Sequence, residues 1–182
     1  MIWLILGVAL WWAAHLFKRV APGARAKLGD EKGKGPVAIA LLISVALMVV
    51  GYRMADGAFF WGRSPALVGV NNLLMLAAFY LFAAAGMKTR VSRMMRHPQL
   101  TGFSLWAAGH LLVNGDVPSL VLFGGLLVWA LVEMAVINRA VPDWTPPDPV
   151  PAKKEIMALV GGIVVFAVVA LIHAWLGYNP FG

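Results

Sequence analysis

The feature that most constrains this chain is a recurrence of apolar stretches near twenty residues long. They cover roughly 1–17, 36–52, 66–86, 99–114, 119–138 and 156–177. About 20 helical residues cross ~30 Å of hydrocarbon, and a helix satisfies its own backbone hydrogen bonds where no water is present. With 61% of 182 residues hydrophobic and 13% charged, the chain reads as all-α: a polytopic transmembrane helix bundle of about six helices, in one domain over 1–182.

Charge then orients the spans. Segments 18–35, 87–98 and 139–155 hold six, four and three Lys or Arg, whereas 53–65 and 115–118 hold two and none. Thirteen against two on alternate loops puts the first, third and fifth loops in the cytoplasm and both termini outside. The formal charge of +7 is thus accounted for by an anionic leaflet, which makes membrane lipid a partner and nucleic acid none. The first span resembles a signal peptide only superficially, because no basic residue precedes it and Lys18-Arg19 follow it, so it reads as a retained helix. The segment 144–154, WTPPDPVPAKK, is a proline-rich extended connector. Gly115, Asp116 and Pro118 form a tight turn that is expected to pair the fourth and fifth spans as one antiparallel unit.

Against this background the polar residues of MMRHPQLTGFSLWAAGHLLVNGD, residues 94–116, need a reason, since such groups are costly in a bilayer. The sequence has no cysteine, so disulfides and thiolate ligation are excluded and metal chemistry falls to His, Asp, Glu, Met or backbone. At ~1.5 Å per helical residue, the four histidines separate into two levels. His15, at the end of the first span, and His97, at the start of the fourth, lie toward the cytoplasm; His110 and His173 lie toward the outside. His97 and His110 are thirteen residues apart, ~20 Å along a regular helix. Two axial ligands of one haem iron must bring their nitrogens within ~4 Å, given metal–imidazole bonds of ~2 Å. His15 with His97 can meet that condition; His97 with His110 cannot.

Each residue also has a plainer reading. His15 beside Trp11 and Trp12 suits an interfacial anchor, His97 before Pro98 suits a helix cap, and His110 and His173 suit hydrogen bonds between helices. Glu133 lies well inside the fifth span and must be paired, neutral or facing a cavity. An ion pair with Arg96, support to His97 and substrate contact all remain open for it; Glu155, near the start of the sixth span, reads as exposed. Asn71, Asn72, His110, Asn114, Asp116 and His173 are candidates for a second, outer polar cluster, although Asn114-Gly115-Asp116 also has ordinary turn chemistry. Gln99, Phe103, Trp106 and His110 share one helix face, as a packing surface or as an aromatic wall for a flat cofactor.

The run RHPQLTGFSLWAAGHLLVNGD, with an early AAHLF, GYR at 51–53 and a closing HAWLGYNPF, resembles the NnrU family of bacterial membrane proteins over nearly the whole chain. That family is similar to 15-cis-zeta-carotene isomerase, a haem b enzyme with histidine ligands, and its name is tied to nitrite and nitric oxide reduction. The resemblance implies a bacterial inner-membrane protein that binds haem b. His15 and His97 would be the iron ligands, with Arg96, Trp106, His110 and Glu133 around the cofactor and a lipid-soluble substrate nearby. A more distant resemblance is to membrane methyltransferases that use S-adenosylmethionine, whose Arg-His-Pro motif is matched by Arg96-His97-Pro98. The tyrosine and paired acidic residues of that family are absent: Gln99 follows Pro98, and Met134 follows Glu133. A structural or assembly role without a cofactor is the third reading.

The charge asymmetry yields a direct test. Because the chain has no native cysteine, single cysteines at positions 29 and 57 can be labelled with an impermeant maleimide. Position 29 should react only from the cytoplasmic side and 57 only from the other. Labelling of both from one side would remove the two-level placement of the histidines.

Overall fold

In the computed structural model, which describes residues 1–29 and 32–181, the chain is almost wholly helical. The long helices are α1 (Ile2–Val20), α3 (Lys34–Met54), α4 (Pro65–Met87), α6 (Pro98–Val113), α8 (Gly125–Ala140) and α9 (Ala152–Trp175). Short helices α2 (Pro22–Lys27), α5 (Arg90–Met94) and α7 (Val117–Ser119) precede α3, α6 and α8 respectively. Strands β1 (Phe59–Trp61) and β2 (Gly115–Asp116) form a two-stranded sheet. Each of the six expected spans is a helix. Among the described residues five segments, 2–20, 34–54, 65–87, 117–140 and 152–175, are long and apolar enough to cross a membrane. This is an all-α, multi-pass membrane protein.

Two features differ from expectation. Helix α1 runs on to Val20, because nothing breaks it before Pro22 and Lys18 and Arg19 suit its negative C-terminal end, so His15 lies more than a turn inside it. The fourth span is the shortest of the six, as expected: α6 has 16 residues, about 24 Å of rise. The fifth span is not one regular helix: after Asp116 caps α7 by accepting Ser119 N–H at 2.7 Å, a π-helical turn spans Leu120–Gly124 before α8 begins.

The chain groups into two compact units. The first comprises residues 1–60 and 115–142, the second 61–114 and 143–182. The expectation that the fourth and fifth spans form one unit therefore fails, since the division falls at the turn between them. Instead α6 joins α4 in the second unit, and α8 joins α1 in the first.

Both units are held by small residues at helix crossings. In lipid, apolar side chains gain little by leaving one hydrocarbon for another, and close backbone packing and polar contacts must supply the attraction. In the first unit a Cβ on Gly7 would lie 2.7 Å from Met48 N, and one on Gly51 would strike the Leu4 backbone. One turn from Met48 the buried Ser44 hydroxyl donates to Gly7 O at 2.8 Å. In the second unit a Cβ on Gly102 would lie 2.9 Å from Ala78 O and one on Gly109 would lie 2.9 Å from Asn71 Oδ1, so α6 runs antiparallel along the middle of α4. On the other side of α4, a Cβ on Gly162 of α9 would lie 3.0 Å from Tyr80 Cα. The outer face of α9 leaves Leu159, Ile163, Val164 and Leu171 exposed, a surface suited to acyl chains.

Glu155 is not the free surface carboxylate that its position suggests. Its Oε1 accepts the Arg90 N–H at 2.7 Å, joining the first turn of α9 to the start of α5. Lys88, with φ of 55°, turns the chain from α4 toward α5, and the Ser92 hydroxyl donates to Ala84 O at 2.8 Å.

Adjacent glycines in α9 provide a matched pair for testing this packing. Gly162→Ala forces the Tyr80 backbone to move and should destabilise the protein by about 1–3 kcal/mol, the usual cost of overpacking. Gly161→Ala meets nothing within 4 Å and should be neutral or slightly stabilising. Thermal unfolding in one detergent compares them; equal midpoints would mean the α4–α9 crossing is not tight.

Candidate functional site

His15 lies within an aromatic cluster in the first unit. Its ring centroid is 4.2 Å from that of Trp11 and 4.6 Å from that of Trp129, and the two indoles meet edge to face at 5.3 Å. Its Nδ1 lies 3.0 Å from Trp11 O, one turn earlier on α1. A carbonyl can only accept, so Nδ1 carries the proton and the lone pair is on Nε2. Backbone hydrogen bonding of this kind fixes the tautomer of metal-ligating histidines.

One turn further along both helices comes a pair of charges. Arg19 follows His15 by four residues on α1, Glu133 follows Trp129 by four on α8, and the Arg19 charge acts on Glu133. Glu133 Oε2 is buried without a hydrogen-bond partner. Arg19 and Glu133 thus lie one turn beyond His15 and Trp129 along α1 and α8. The register of those helices is fixed nearby: Trp12 Nε1 donates to Gly125 O at 3.0 Å, and a Cβ on Gly125 would lie 2.9 Å from Val8 Cγ1. Gly125 is the first residue after the π-helical turn. Beside it, α1 borders an open apolar groove of about 710 Å³, with Val8, Trp12, Leu16, Phe17 and Val121 among its walls.

His97 and Arg96 belong to the second unit. As expected, His97 immediately precedes α6 and Pro98 occupies the first turn. The His97 carbonyl accepts Thr101 N–H at 2.9 Å, but its imidazole makes no capping bond, so the plain capping account covers only its backbone. The expected face of α6 is present as an aromatic run: Phe103 and Trp106 rings are 5.1 Å apart, Trp106 and His110 rings 5.0 Å apart. Gln99, at its start, is exposed.

The outer polar cluster forms in part. Asn71, Asn72, Trp106, His110 and His173 line one cavity of about 70 Å³ between α4, α6 and α9. Asn114 and Asp116 do not line it, because turn and cap geometry uses them: Asn114 Nδ2 donates to His110 O at 2.8 Å, and Asp116 caps α7 in the first unit. His110 and His173 repeat the His15 arrangement, with Nδ1 2.9 Å from Trp106 O and 2.8 Å from Val169 O. Among the described residues no three His, Asp or Glu side chains gather as a metal site would require.

Of the residues after α9, Pro180 lines this cavity. Gly177, at φ 90°, ends α9, and the N–H groups of Gly177 and Tyr178 donate to Ala174 O and His173 O. The tail then returns so that Asn72 Nδ2 donates to Pro180 O at 3.1 Å and Arg63 Nη2 to Asn179 O at 2.6 Å. Sequence reasoning missed Trp129, Arg19 and this tail. The four-residue spacing shared by His15–Arg19 and Trp129–Glu133 was the available signal for the first two.

No curated protein and no solved structure matches the chain. The family model described as NnrU protein matches residues 3–180, nearly every element described above. The chain therefore belongs to the NnrU family.

Proposed function

We propose that this membrane protein binds haem b with His15 as one axial ligand and acts on a lipid-soluble substrate in isomerase-like or redox chemistry. The observation that carries the reading is the His15 arrangement: an imidazole whose Nδ1–H is committed to Trp11 O, leaving Nε2 as the donor nitrogen, beside the Trp11 and Trp129 rings. Neutral imidazole suits iron, and the chain offers no thiolate. Indole rings suit contact with a flat macrocycle, and Arg19 supplies a cation for propionate recognition one turn away. The residues present fit the group. His97 is the second ligand by the argument from sequence and family resemblance, with Arg96 beside it and Trp106 and His110 further along α6. Haem held by these residues would supply one-electron chemistry, which accommodates the nitrogen-oxide link implied by the family resemblance.

The chain's own contribution is positioning. Trp11 O holds the His15 ring in one tautomer, and Glu133 experiences the charge of Arg19, one turn beyond His15 on α1. The apolar groove along α1 offers a lipid-soluble molecule a route to that helix without entering water.

Purified protein should show a Soret band, and alanine at His15 or at His97 should abolish or strongly shift it. Alanine at His110 or His173 should leave the ligand-field bands in place. A protein that takes up no haem in either redox state would sink this reading, and S-adenosylmethionine binding by colourless protein would favour the methyltransferase.

A second experiment addresses Glu133. Glu133→Gln removes its charge while keeping its shape and should lower haem retention roughly tenfold, as losses of groups that support ligands often do. Asp148→Asn is the control, because Asp148 is exposed whereas Glu155 is engaged with Arg90. Equal haem retention by the two variants would show that Glu133 plays no part in holding the cofactor.

A further inference from the structure

We infer that residues 176–181 re-enter the membrane beside α9 and form a lipid-binding surface, with the Phe181 ring among acyl chains and the Trp175 and Tyr178 rings at headgroup level. Depth is the first observation. Helix α9 ends at Trp175, and Gly177, at φ 90°, reverses the chain. The Phe181 ring then lies 6.3 Å from that of Phe166, which precedes Trp175 by nine residues, ~13 Å of helical rise. Helix α4 gives a second measure: Pro180 O accepts from Asn72, seven residues inside the Pro65 end and ~10 Å from it by the same rise. Both helices are long and apolar enough to span a bilayer, so Pro180 and Phe181 lie below the level at which these helices end.

An irregular segment at that depth must have its peptide groups bonded, because hydrocarbon offers them no partner. Side chains supply bonds here in addition to the turn itself. The N–H groups of Leu176, Gly177 and Tyr178 donate to Ile172 O, Ala174 O and His173 O. Arg63 Nη2 donates to Asn179 O, Asn72 Nδ2 to Pro180 O, and the Phe181 N–H to Asn179 Oδ1. Pro180 brings no N–H of its own. What faces outward is apolar or amphipathic: Trp175, Leu176, Tyr178 and Phe181 are all exposed, and WLGYNPF carries no charge. Through Trp175 this patch continues the exposed stripe of Val164, Val168 and Leu171 on α9, the side suited to acyl chains. Continuity with that surface selects lipid as the occupant. Tyrosine and tryptophan present an apolar body with one polar edge, which suits the boundary between hydrocarbon and water.

Nitroxide labels on single cysteines test the depth, since the chain has no cysteine of its own. Phe181→Cys and Tyr178→Cys are compared with Val164→Cys on the exposed face of α9 and Asp148→Cys in the exposed connector, each in nanodiscs. Power saturation reads collisions with dissolved oxygen and with a water-soluble nickel chelate. The label at 181 should follow 164, gaining oxygen contact and losing nickel contact, and 178 should fall between 164 and 148. Phosphatidylcholine and phosphatidylglycerol should give the same ranking, because the segment is uncharged. Asn72→Leu removes the donor to Pro180 O and should shift the 181 label toward the behaviour of 148 while leaving 164 unchanged, which separates release of the segment from misfolding. Arg63→Ala, at an exposed position, is the second release variant. Four results would each overturn the inference: nickel contact at 181 equal to that at 148, shielding of 181 from both reagents as a second protein chain would produce, re-entry in anionic lipid alone, or a 181 label that stays with 164 in both release variants.

Discussion

Everything in this structure depends on helices touching backbone to backbone. A bilayer provides no hydrophobic force to press one apolar helix onto another, so contact area must come from removing side chains at the crossing points. Gly7 and Gly51 do so where α1 meets α3, Gly102 and Gly109 where α6 meets α4, and Gly162 where α9 meets α4. The buried residues alongside them are mostly small as well: Ala78, Ala84, Ala107, Ala158 and Ala170. Bulky aliphatic residues are left on the outside, reversing the distribution expected in water. Gly109 extends this packing to a polar group, because the same missing side chain that admits α4 also makes room for Asn71 Oδ1.

Three of the four histidines use one local device. His15, His110 and His173 each return an Nδ1–H to the carbonyl four residues earlier. That carbonyl is already part of the helical ladder, and its second lone pair takes the ring proton at little cost. The arrangement restrains the ring, sets its tautomer and turns the basic nitrogen away from the helix. His97 cannot adopt it, because the residues before it belong to a bend between α5 and α6 rather than to a preceding turn of helix.

Much of this was legible in the sequence. Apolar length located the helices to within a few residues, Pro98 marked the start of α6, and loop charge together with helical rise put Asn71, Asn72, His110 and His173 at one level. Rise says how deep a residue lies; it does not say which neighbour it faces. Trp129 as the companion of His15, and Arg19 as the cation acting on Glu133, depend on the rotation of α8 about its axis. The π-helical turn before Gly125 alters that rotation, and no apolar pattern announces it. Local hydrogen bonding likewise decided Asn114 and Asp116, whose side chains serve the backbone beside them. The engagement of Glu155 required knowing that Lys88 turns the chain and brings the start of α5 to α9.

The brevity of α6 bears on how the protein is made. Of its 16 residues only Gln99 is exposed, so the helix that carries most of the motif polarity is also screened from lipid. A segment containing Gln99, Thr101, Ser104 and His110 has little tendency to leave the insertion machinery for the bilayer alone. Helix α4 emerges earlier in synthesis, is long and apolar, and presents Asn71, Met75, Ala78 and Leu81 along the side that α6 occupies. The natural sequence of events is that α4 enters first and α6 partitions against it, so entry of the site-bearing helix into the membrane is itself a folding step.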